Sequence, residues 1–372
     1  MEKLGDDMER REGLIALRQI KGIGWHTIDK MLKMDWSPDQ ELTTELLDFL
    51  STSKISKKSI EFLRGNWSPT FIRQVNEELK QRKIITQTLW DEDYPDLLRE
   101  IAQPPWVLYM KGDPALLTDY LLAVVGTRRP TAYGIKTTRF LCEEIVASGW
   151  GVVSGMAYGI DVEAHRTVLK AAGKTIAVLG TGVDVIYPKN HRFIYEELIQ
   201  HGTVISEMPL GTQPHPGLFP QRNRIISGLC MGTVIVEAAE RSGSLITANY
   251  SMEQGREVFA IPGQVGNEQS QGTLRLIQQG AKCVTNIEDI LEEYPYIPRQ
   301  YQVKHKGGAE ISVWNEKEQK VLQCVTTEPQ QITIIIERLK EEMLIGEIHQ
   351  TLLSLQLKGD IIQLPGSYYV RK

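Results

Sequence analysis

The residues with the clearest capacity for binding chemistry are Arg222, Asn223 and Arg224, which closely follow the aromatic Phe219. The apolar residues after them predict a short helix, so both arginines stand near its beginning. Arginine forks match phosphate oxygens bidentately, and an aromatic ring can stack on a base. The pattern predicts binding of a phosphate-bearing ligand. Alternatively, the arginines form ion pairs at a rim and Phe219 belongs to the core.

Two turns rich in small residues offer further anion-binding groups. One directly follows a predicted strand, and the other opens a predicted helix, so the backbone N–H groups of both can face a phosphate. An arginine just past the carboxyl end of a strand favours a role in ligand binding over a solvated loop position. The residues concerned are Gly126, Thr127, Arg128, Ser242, Gly243 and Ser244.

These turns must be positioned by the elements around them. Those elements are short apolar runs without polar alternation, separated by segments of helix length. Such runs indicate a parallel sheet covered on both faces, and they predict an α/β Rossmann-like doubly wound domain. Ligands of such sheets bind beyond the carboxyl ends of the strands, where Ser154, Gly155 and Gly159 also lie. The predicted strands are Leu121–Val125, Trp150–Val153, Thr175–Leu179, Thr203–Ser206, Val234–Val236 and Val258–Ile261.

Known cofactor and metal motifs do not fit the sequence. Gly173-Lys174-Thr175 lacks the earlier glycine of a P-loop and enters a strand, which predicts a helix-ending turn. Gly180-Thr181-Gly182 has Val185 where a dinucleotide loop needs its third glycine. We expect no nucleotide cofactor, and the absence of a Cys/His cluster or metalloprotease motif predicts no metal.

Asp161 and His165 are four residues apart on one predicted helix and could form an acid–base pair. A capping role for Asp161 explains that residue without catalysis, and His165 is then predicted to pack at the surface. We therefore expect no catalytic residues.

The bulk composition restricts the classes of function. The chain has 372 residues, 41% hydrophobic, with a formal net charge of −5, so any nucleic-acid site must be a local basic patch on an acidic body. Neither a signal peptide nor a membrane span is evident, which predicts a cytoplasmic protein. The cysteines are far apart and are predicted to be buried thiols: Cys142, Cys230, Cys283 and Cys324.

The flanking segments differ in sequence pattern from the predicted sheet. The Gly22-Ile23-Gly24 turn is similar to the hairpin of helix-hairpin-helix modules, although a tight turn explains its glycines equally well. At the other end, three helices and a hairpin predict a winged helix whose acidic middle helices favour a protein partner. The predicted divisions are an N-terminal helical module at 1–70 (SAM/helix-hairpin-helix-like), a connector at 71–117, the Rossmann-like domain at 118–293, a linker at 294–313 and the winged helix at 314–372.

Several motifs in this order resemble the DprA/Smf family of bacterial DNA-processing proteins. They are Val125-Gly-Thr-Arg, Val153-Ser-Gly-Met-Ala-Tyr-Gly-Ile-Asp, Ala177-Val-Leu-Gly-Thr-Gly-Val-Asp, Ile205-Ser-Glu, Phe219-Pro-Gln-Arg-Asn-Arg-Ile-Ile-Ser-Gly and Ser242-Gly-Ser-Leu-Ile-Thr-Ala. The resemblance is strong over about 90–293. Gln221 and the divergent segment Thr333–Glu342 depart from the family pattern.

This resemblance implies a homodimer that binds incoming single-stranded DNA during natural transformation, protects it from nucleases and loads the RecA recombinase. Single-strand-binding protein is a further candidate partner. The resemblance also implies that the residues named above at the strand ends form the DNA-binding pocket: Gly126, Thr127 and Arg128, the Ser154–Gly159 turn, Phe219, Arg222, Asn223 and Arg224, and the Ser242–Ser244 turn.

Two other classes of function remain as alternatives. One is a phosphoribohydrolase of the lysine-decarboxylase-like kind, but Met231-Gly-Thr-Val-Ile-Val-Glu lacks its paired glycines and puts Glu237 one position late. The other is a scaffold that works through the C-terminal region.

Overall fold

The computed structural model describes residues 7–34, 36–52, 55–297, 316–326, 329–358, 360–364 and 366–371. The chain divides into two compact units, Met1–Gln302 and Val303–Lys372. The predicted linker lies mostly outside the described residues.

The first unit begins with five helices. Leu14, Ile15 and Leu17 are fully buried and form their core together with residues of the later helices. Two of the helices start at serine caps: Ser56 accepts from the Ser59 N–H, and Ser68 accepts from the Phe71 N–H. The helices are α1 Asp7–Gln19, α2 Trp25–Leu32, α3 Thr44–Thr52, α4 Lys57–Asn66 and α5 Pro69–Gln81.

The rest of this unit is built on a nine-stranded sheet whose order is β1-β2-β6-β5-β4-β3-β7-β8-β9. Strands β3 to β9 run parallel, whereas β1 and β2 pair antiparallel at one edge. The strands are β1 Ile85–Thr88, β2 Val107–Gly112, β3 Leu121–Val125, β4 Gly151–Ser154, β5 Thr175–Val178, β6 Thr203–Ser206, β7 Gly232–Ile235, β8 Glu257–Ala260 and β9 Lys282–Cys283.

Helices cover both faces of the sheet. In β5, Ile176 and Val178 pack in one apolar cluster with α10, while Ala177 packs in another with α8 and α9. Neighbouring residues of a strand point to opposite faces, so this division explains why the strand is apolar from Ile176 to Val178. The helices are α6 Asp96–Arg99, α7 Ala132–Ala147, α8 Ile160–Lys170, α9 Arg192–His201, α10 Leu218–Gly228, α11 Ser244–Glu253, α12 Gln271–Gln278 and α13 Ile287–Leu291.

The segment predicted as an extended connector is part of the sheet. β1 and β2 extend the sheet beyond β6, and the prolines Pro104 and Pro105 stand in the loop between them, where they break no ladder. The prediction that the four cysteines are buried is wrong for Cys283, which is exposed because β9 is the short edge strand, and for Cys324, which is only partly buried.

The described residues of the second unit form three helices and a three-stranded antiparallel sheet of order β10-β12-β11. Val321, Ile335, Ile348 and Leu352 are buried in its core. Its elements are α14 Glu316–Cys324, β10 Gln330–Gln331, α15 Ile332–Leu339, α16 Ile345–Lys358, β11 Ile361–Leu364 and β12 Tyr368–Arg371. In the part of the chain that the structure describes, no helix is both long and apolar enough to cross a membrane.

Candidate functional site

A crevice of about 940 Å³ opens beyond the carboxyl ends of β3 and β7. These strands are neighbours, but the chain runs from β3 through β4, β5 and β6 on one side before it returns to β7 on the other. The strand order therefore reverses here, and the loops after β3 and β7 diverge to opposite faces. Because the two loops lead to opposite faces, a cleft remains between them, and the sheet needs no inserted segment to form it.

The loop after β3 is held by backbone contacts to both neighbouring loops. The Thr127 N–H donates to the carbonyl of Glu237 after β7, at 2.7 Å, and the Thr127 carbonyl accepts from the Ile160 N–H at 3.2 Å. The Thr127 hydroxyl accepts from the Arg129 N–H. These bonds fix where Arg128 leaves the loop, so its charge is placed by the backbone.

Gly159 allows the loop after β4 to approach the loop after β3. Its φ is +82°, and a Cβ on it would lie 2.3 Å from the Thr127 carbonyl oxygen. A side chain at this position would be both strained and in collision. Gly159 thus shapes the crevice wall without lining it.

Arg222 forms the inner wall of the crevice. It is 5% exposed, and its Nη1 donates to the carbonyls of Gly155, at 2.8 Å, and Val178. The guanidinium therefore joins the ends of β4 and β5. Burial lowers the pKa of Arg222 to about 10, and the nearby Asp161 carboxylate opposes that shift.

Asp161 lies beneath this wall at the beginning of α8. Burial raises the pKa of its carboxyl group, while Arg222 and backbone N–H groups, including that of Gly155 at 3.2 Å, act to lower it. The Asp161 carboxylate therefore organises the turn after β4 and balances the buried guanidinium. The prediction that Asp161 caps this helix is wrong, because Gly159 stands at the N-cap and Asp161 is buried within the first turn.

The turn at Ser242–Ser244 forms the opposite wall and is tied to α10. Asn223 accepts from Arg222 Nε at 3.2 Å and donates to the Gly243 carbonyl at 3.4 Å. The hydroxyls of Ser242 and Ser244 lie 2.8 Å apart. Gly243 precedes α11 without a side-chain cap and has open space around its Cα, so a ligand can approach the backbone there.

Three arginines at the crevice remain available to a ligand. Arg128, Arg129 and Arg241 line it and are exposed, and no carboxylate oxygen of the described residues lies within ion-pair distance of them. The acidic residues of the lining are Asp161, Glu240 and Glu268. Asp161 lies near Arg222 and Glu240 pairs with Arg275 at 3.5 Å, which leaves Glu268 against the three arginines. The available charge of this wall is consequently positive although the whole chain is acidic.

An aromatic pair stands at one end of the crevice. Phe219 and Tyr187 both line it, with ring centroids 5.3 Å apart and planes inclined by 32°. Phe219 is half-buried, and Tyr187 is 40% exposed. These rings offer apolar faces next to the arginines, which suits a ligand that has both phosphates and flat bases.

Arg224 lies on the other side of α10. Its two terminal nitrogens each contact a carboxylate oxygen of Glu207 at 2.7 Å, and both side chains are less than a tenth exposed. The predicted alternative of an ion pair therefore describes Arg224, although the pair is buried and not at a rim. Both terminal nitrogens of Arg224 are therefore already bonded to Glu207.

The prediction that His165 packs at the surface is wrong. His165 is fully buried against β5, and its Nδ1 lies 2.7 Å from the Thr175 hydroxyl. Burial is the main reason that the pKa of His165 falls to about 3. The sheet is covered on both faces, so the inward side of α8 has no access to solvent.

Most predicted site residues come together at the crevice, but four do not line it. The Ser154 hydroxyl donates to the Val124 carbonyl, and Gly155, Gly159 and Arg224 act from behind the wall or beside it. Those at the lining are Gly126, Thr127, Arg128, Phe219, Arg222, Asn223, Ser242, Gly243 and Ser244.

Other lining residues were not among the predicted binding residues. Arg129 and Arg241 adjoin predicted turns, and their charge was a signal that could have identified them. Tyr187 and Gln269 come from segments without a recognisable motif, so only the fold reveals them. No group of three or more His, Cys, Asp or Glu side chains in the described ranges could hold a metal ion.

Comparisons with known proteins find similar proteins that belong to one family. Residues 85–295 match the family described as DNA recombination-mediator protein A. Protein Smf of Synechocystis sp. is 32% identical over 391 aligned positions, covering 96% of this chain and 98% of that protein.

Two solved structures are also similar. DNA processing protein A from Streptococcus pneumoniae has a TM-score of 0.61 at 36% identity, covering 77% of this chain and 96% of that one. DNA processing protein A from Helicobacter pylori, described for its single-stranded DNA binding mode, has a TM-score of 0.52 at 31% identity, covering 57% and 96%.

Proposed function

The chain belongs to the DNA recombination-mediator protein A (DprA/Smf) family, and from this premise we propose that its crevice is the binding site for single-stranded DNA. The observation that carries the proposal is the convergence of three unpaired arginines, a helix-opening turn and an aromatic pair at one strand-order reversal. A strand with several phosphates and bases accounts for this combination better than a mononucleotide does, because the sequence lacks the motifs that bind nucleotide cofactors.

The residues have distinct roles in this proposal. Arg128, together with Arg129 and Arg241, contacts phosphates, and the Ser242–Ser244 turn supplies backbone N–H groups. Phe219 and Tyr187 receive a base. Arg222 adds positive charge from inside the wall and holds β4 to β5, because its Nη1 is committed to two carbonyls. Binding of this kind requires no covalent chemistry.

The finer architecture belongs to the same proposal. The sheet is Rossmann-like and doubly wound, the N-terminal helices form a SAM/helix-hairpin-helix-like module, and the C-terminal unit is a winged helix. We place the divisions at 1–70, 71–117, 118–293, 294–313 and 314–372. The winged helix contacts protein, because it is rich in glutamate, and Lys317, Lys320 and Lys340 each pair with one of these glutamates.

We further propose the cellular role that family membership suggests. A homodimer in the cytoplasm holds incoming single strands during natural transformation, shields them from nucleases and passes them to RecA. Single-strand-binding protein is a candidate partner in that exchange. Two crevices per dimer would keep a strand extended for the recombinase.

A phosphoribohydrolase role has little support. The Glu237 carboxylate accepts from the Thr131 N–H at 2.9 Å and from the Thr131 hydroxyl at 2.5 Å, and it packs against Gly134 at the start of α7. Both oxygens thus hold a helix start, and Glu237 does not line the crevice.

Fluorescence anisotropy of a labelled single strand, with unlabelled single-stranded and duplex competitors, tests the binding site. Gly243→Asp and Gly243→Asn form a matched pair, since a side chain there meets no atom within 4 Å and only one variant adds a negative charge. We expect the Asp variant to bind about fivefold more weakly than the Asn variant. Equal binding by the two variants, or a preference for duplex, would contradict the proposal.

A further inference from the structure

A second cavity, of about 410 Å³, lies between the N-terminal helices and the beginning of α10. Its walls include Arg18 at the end of α1, Gly24 and Trp25 at the beginning of α2, and Tyr250 on α11. Its volume falls within the range of about 300–1,000 Å³ that is typical of small-ligand sites.

The first turns of α10 separate this cavity from the crevice. Phe219 and Arg222 line the crevice, whereas Leu218, Gln221 and Arg224 line the second cavity. The spacing of three residues within each set is that of two faces of one helix. A polymer that leaves the crevice across this helix would therefore enter the second cavity, whereas a mononucleotide would occupy only one of them.

The charges of the second cavity favour an anionic ligand. Arg224 and Glu207 neutralise each other in their bidentate pair. Arg18 has no carboxylate of the described residues within ion-pair distance, and its Nη1 donates only at 3.4 Å, to the Ile23 carbonyl. One positive charge is thus left without a counterion at the cavity wall.

The cavity also has aromatic walls, and the ring of Trp25 is held in place by the protein. The Trp25 indole N–H donates to the Pro104 carbonyl at 2.6 Å, and its ring stacks on Trp106 at a centroid distance of 6.0 Å. Tyr250 is half-buried on the facing element. Rings that the protein already holds in place lose little conformational entropy when a base packs against them.

We propose that the second cavity binds a further nucleotide of the same single strand that occupies the crevice, so that the N-terminal helices form part of the DNA-binding surface. This inference rests on the proposed function. Arg18 contacts the phosphate, and the cavity between Trp25 and Tyr250 receives the base. The strand crosses the beginning of α10 between the two sites.

Gly24 provides a test with little effect on the fold. Its backbone is extended, with φ −101° and ψ −175°, it precedes α2 without a side-chain cap, and an added Cβ meets no atom within 4 Å. Asp and Asn are both favoured at such a position and have the same shape, so Gly24→Asp and Gly24→Asn differ only in charge.

Each variant is titrated in full-length protein with a labelled oligothymidylate of about 20 nucleotides and with one of about 4, near the lower limit of reported site sizes. We expect Gly24→Asp to bind the long strand about fivefold more weakly than Gly24→Asn, with a smaller salt dependence, and to bind the short one equally well. Gly24→Arg should bind the long strand more tightly than either.

Equal affinity of the Gly24→Asp and Gly24→Asn variants for the long strand would overturn the inference. A matching loss for the short strand would also overturn it, because the charge would then act on the crevice. The Gly243 pair distinguishes these results from failure of the proposed function: if Gly243→Asp still weakens binding, the crevice remains the DNA site without the second cavity.

Discussion

Arg128 carries an exposed positive charge at the point where the backbone after β3 is held most firmly. Its neighbour Thr127 is bonded on both sides, so the side chain begins from a fixed position. Preorganised donors lose less entropy when they meet a phosphate than donors on a mobile loop. Arg128 should therefore contribute more to binding than an arginine of equal exposure elsewhere.

We expect Arg128→Ala to weaken single-strand binding about five- to thirtyfold, since a charge-assisted hydrogen bond contributes about 1–2 kcal/mol. The slope of log affinity against log salt should fall by about 0.7 for each lost phosphate contact. Arg73→Ala is the matched control, because Arg73 is exposed on α5 and has no ion pair among the described residues. Equal losses in both variants would indicate a nonspecific charge effect.

His165 gives the protein a specific sensitivity to acid. Its pKa falls from 6.5 to about 3 in the folded state, mainly through burial, with Arg222 and His191 acting in the same direction. A lowered histidine pKa contributes stability above the unfolded value of 6.5, and this stability is lost as the pH falls toward 3. Unfolding between these values is favoured because the unfolded chain binds the proton.

Between pH 7 and pH 5, wild type should lose about 2 kcal/mol more free energy of unfolding than His165→Gln, whose side chain does not titrate. Urea unfolding at the two pH values measures the difference. The variant's absolute stability does not enter this comparison. A parallel decline of the two proteins would mean that His165 is accessible to protons in the folded state.

At the scale of elements, Gly159 determines how closely two loops approach. We expect Gly159→Ala to lower the free energy of unfolding by about 1–3 kcal/mol, because its φ is +82° and the new Cβ would lie 2.3 Å from a carbonyl oxygen. Since that carbonyl belongs to Thr127, the loop that carries Arg128 would shift, and DNA affinity should fall as well.

The matched control for Gly159→Ala is Gly65→Ala. Gly65 lies in α4, and a Cβ there meets no atom within 4 Å, so this change should raise stability by about 0.5–1 kcal/mol. Thermal unfolding and anisotropy are measured on both variants. Unchanged DNA binding by a destabilised Gly159→Ala would separate the loop contact from the function of the site.

The elements themselves were predictable where burial alone determined them. All six predicted strands correspond to strands of the sheet, because parallel strands covered on both faces must be apolar throughout. β1 escaped prediction because it is an edge strand with polar residues, which also mark loops. β2 is mostly apolar and lies between β1 and β6, and it escaped prediction because the prolines just before it indicate a loop.

The sequence predicts the location of the site better than the roles of its individual residues. Strand-end turns identify the crevice, but nothing in Gln221-Arg222-Asn223-Arg224 reveals that Arg222 is turned inward and Arg224 toward Glu207. Those roles depend on the angular position of each residue on α10 and on partners more than ten residues away in sequence. Such long-range contacts have no local signature.

At the scale of the whole molecule, the proposed binding site depends on local charge. The net charge is −5, yet three arginines at the crevice have no ion pair with any described residue. In contrast, Lys317, Lys320 and Lys340 in the second unit are all paired with glutamates. Arg338 and Arg371 of that unit are exposed and have no ion pair among the described residues.

A chain that ends after Gln302 should keep its affinity for single strands, because all residues that line the crevice lie in the first unit. We expect dissociation constants within about twofold of full length, as for independent sites, and the same salt slope. Adding Gly243→Asp to both forms should weaken each equally. A loss of more than about tenfold on truncation would instead assign much of the binding to the second unit. If the protein instead acted as a scaffold through the second unit, the truncated chain would lose its partner. A scaffold role would also not explain why that chain binds single strands.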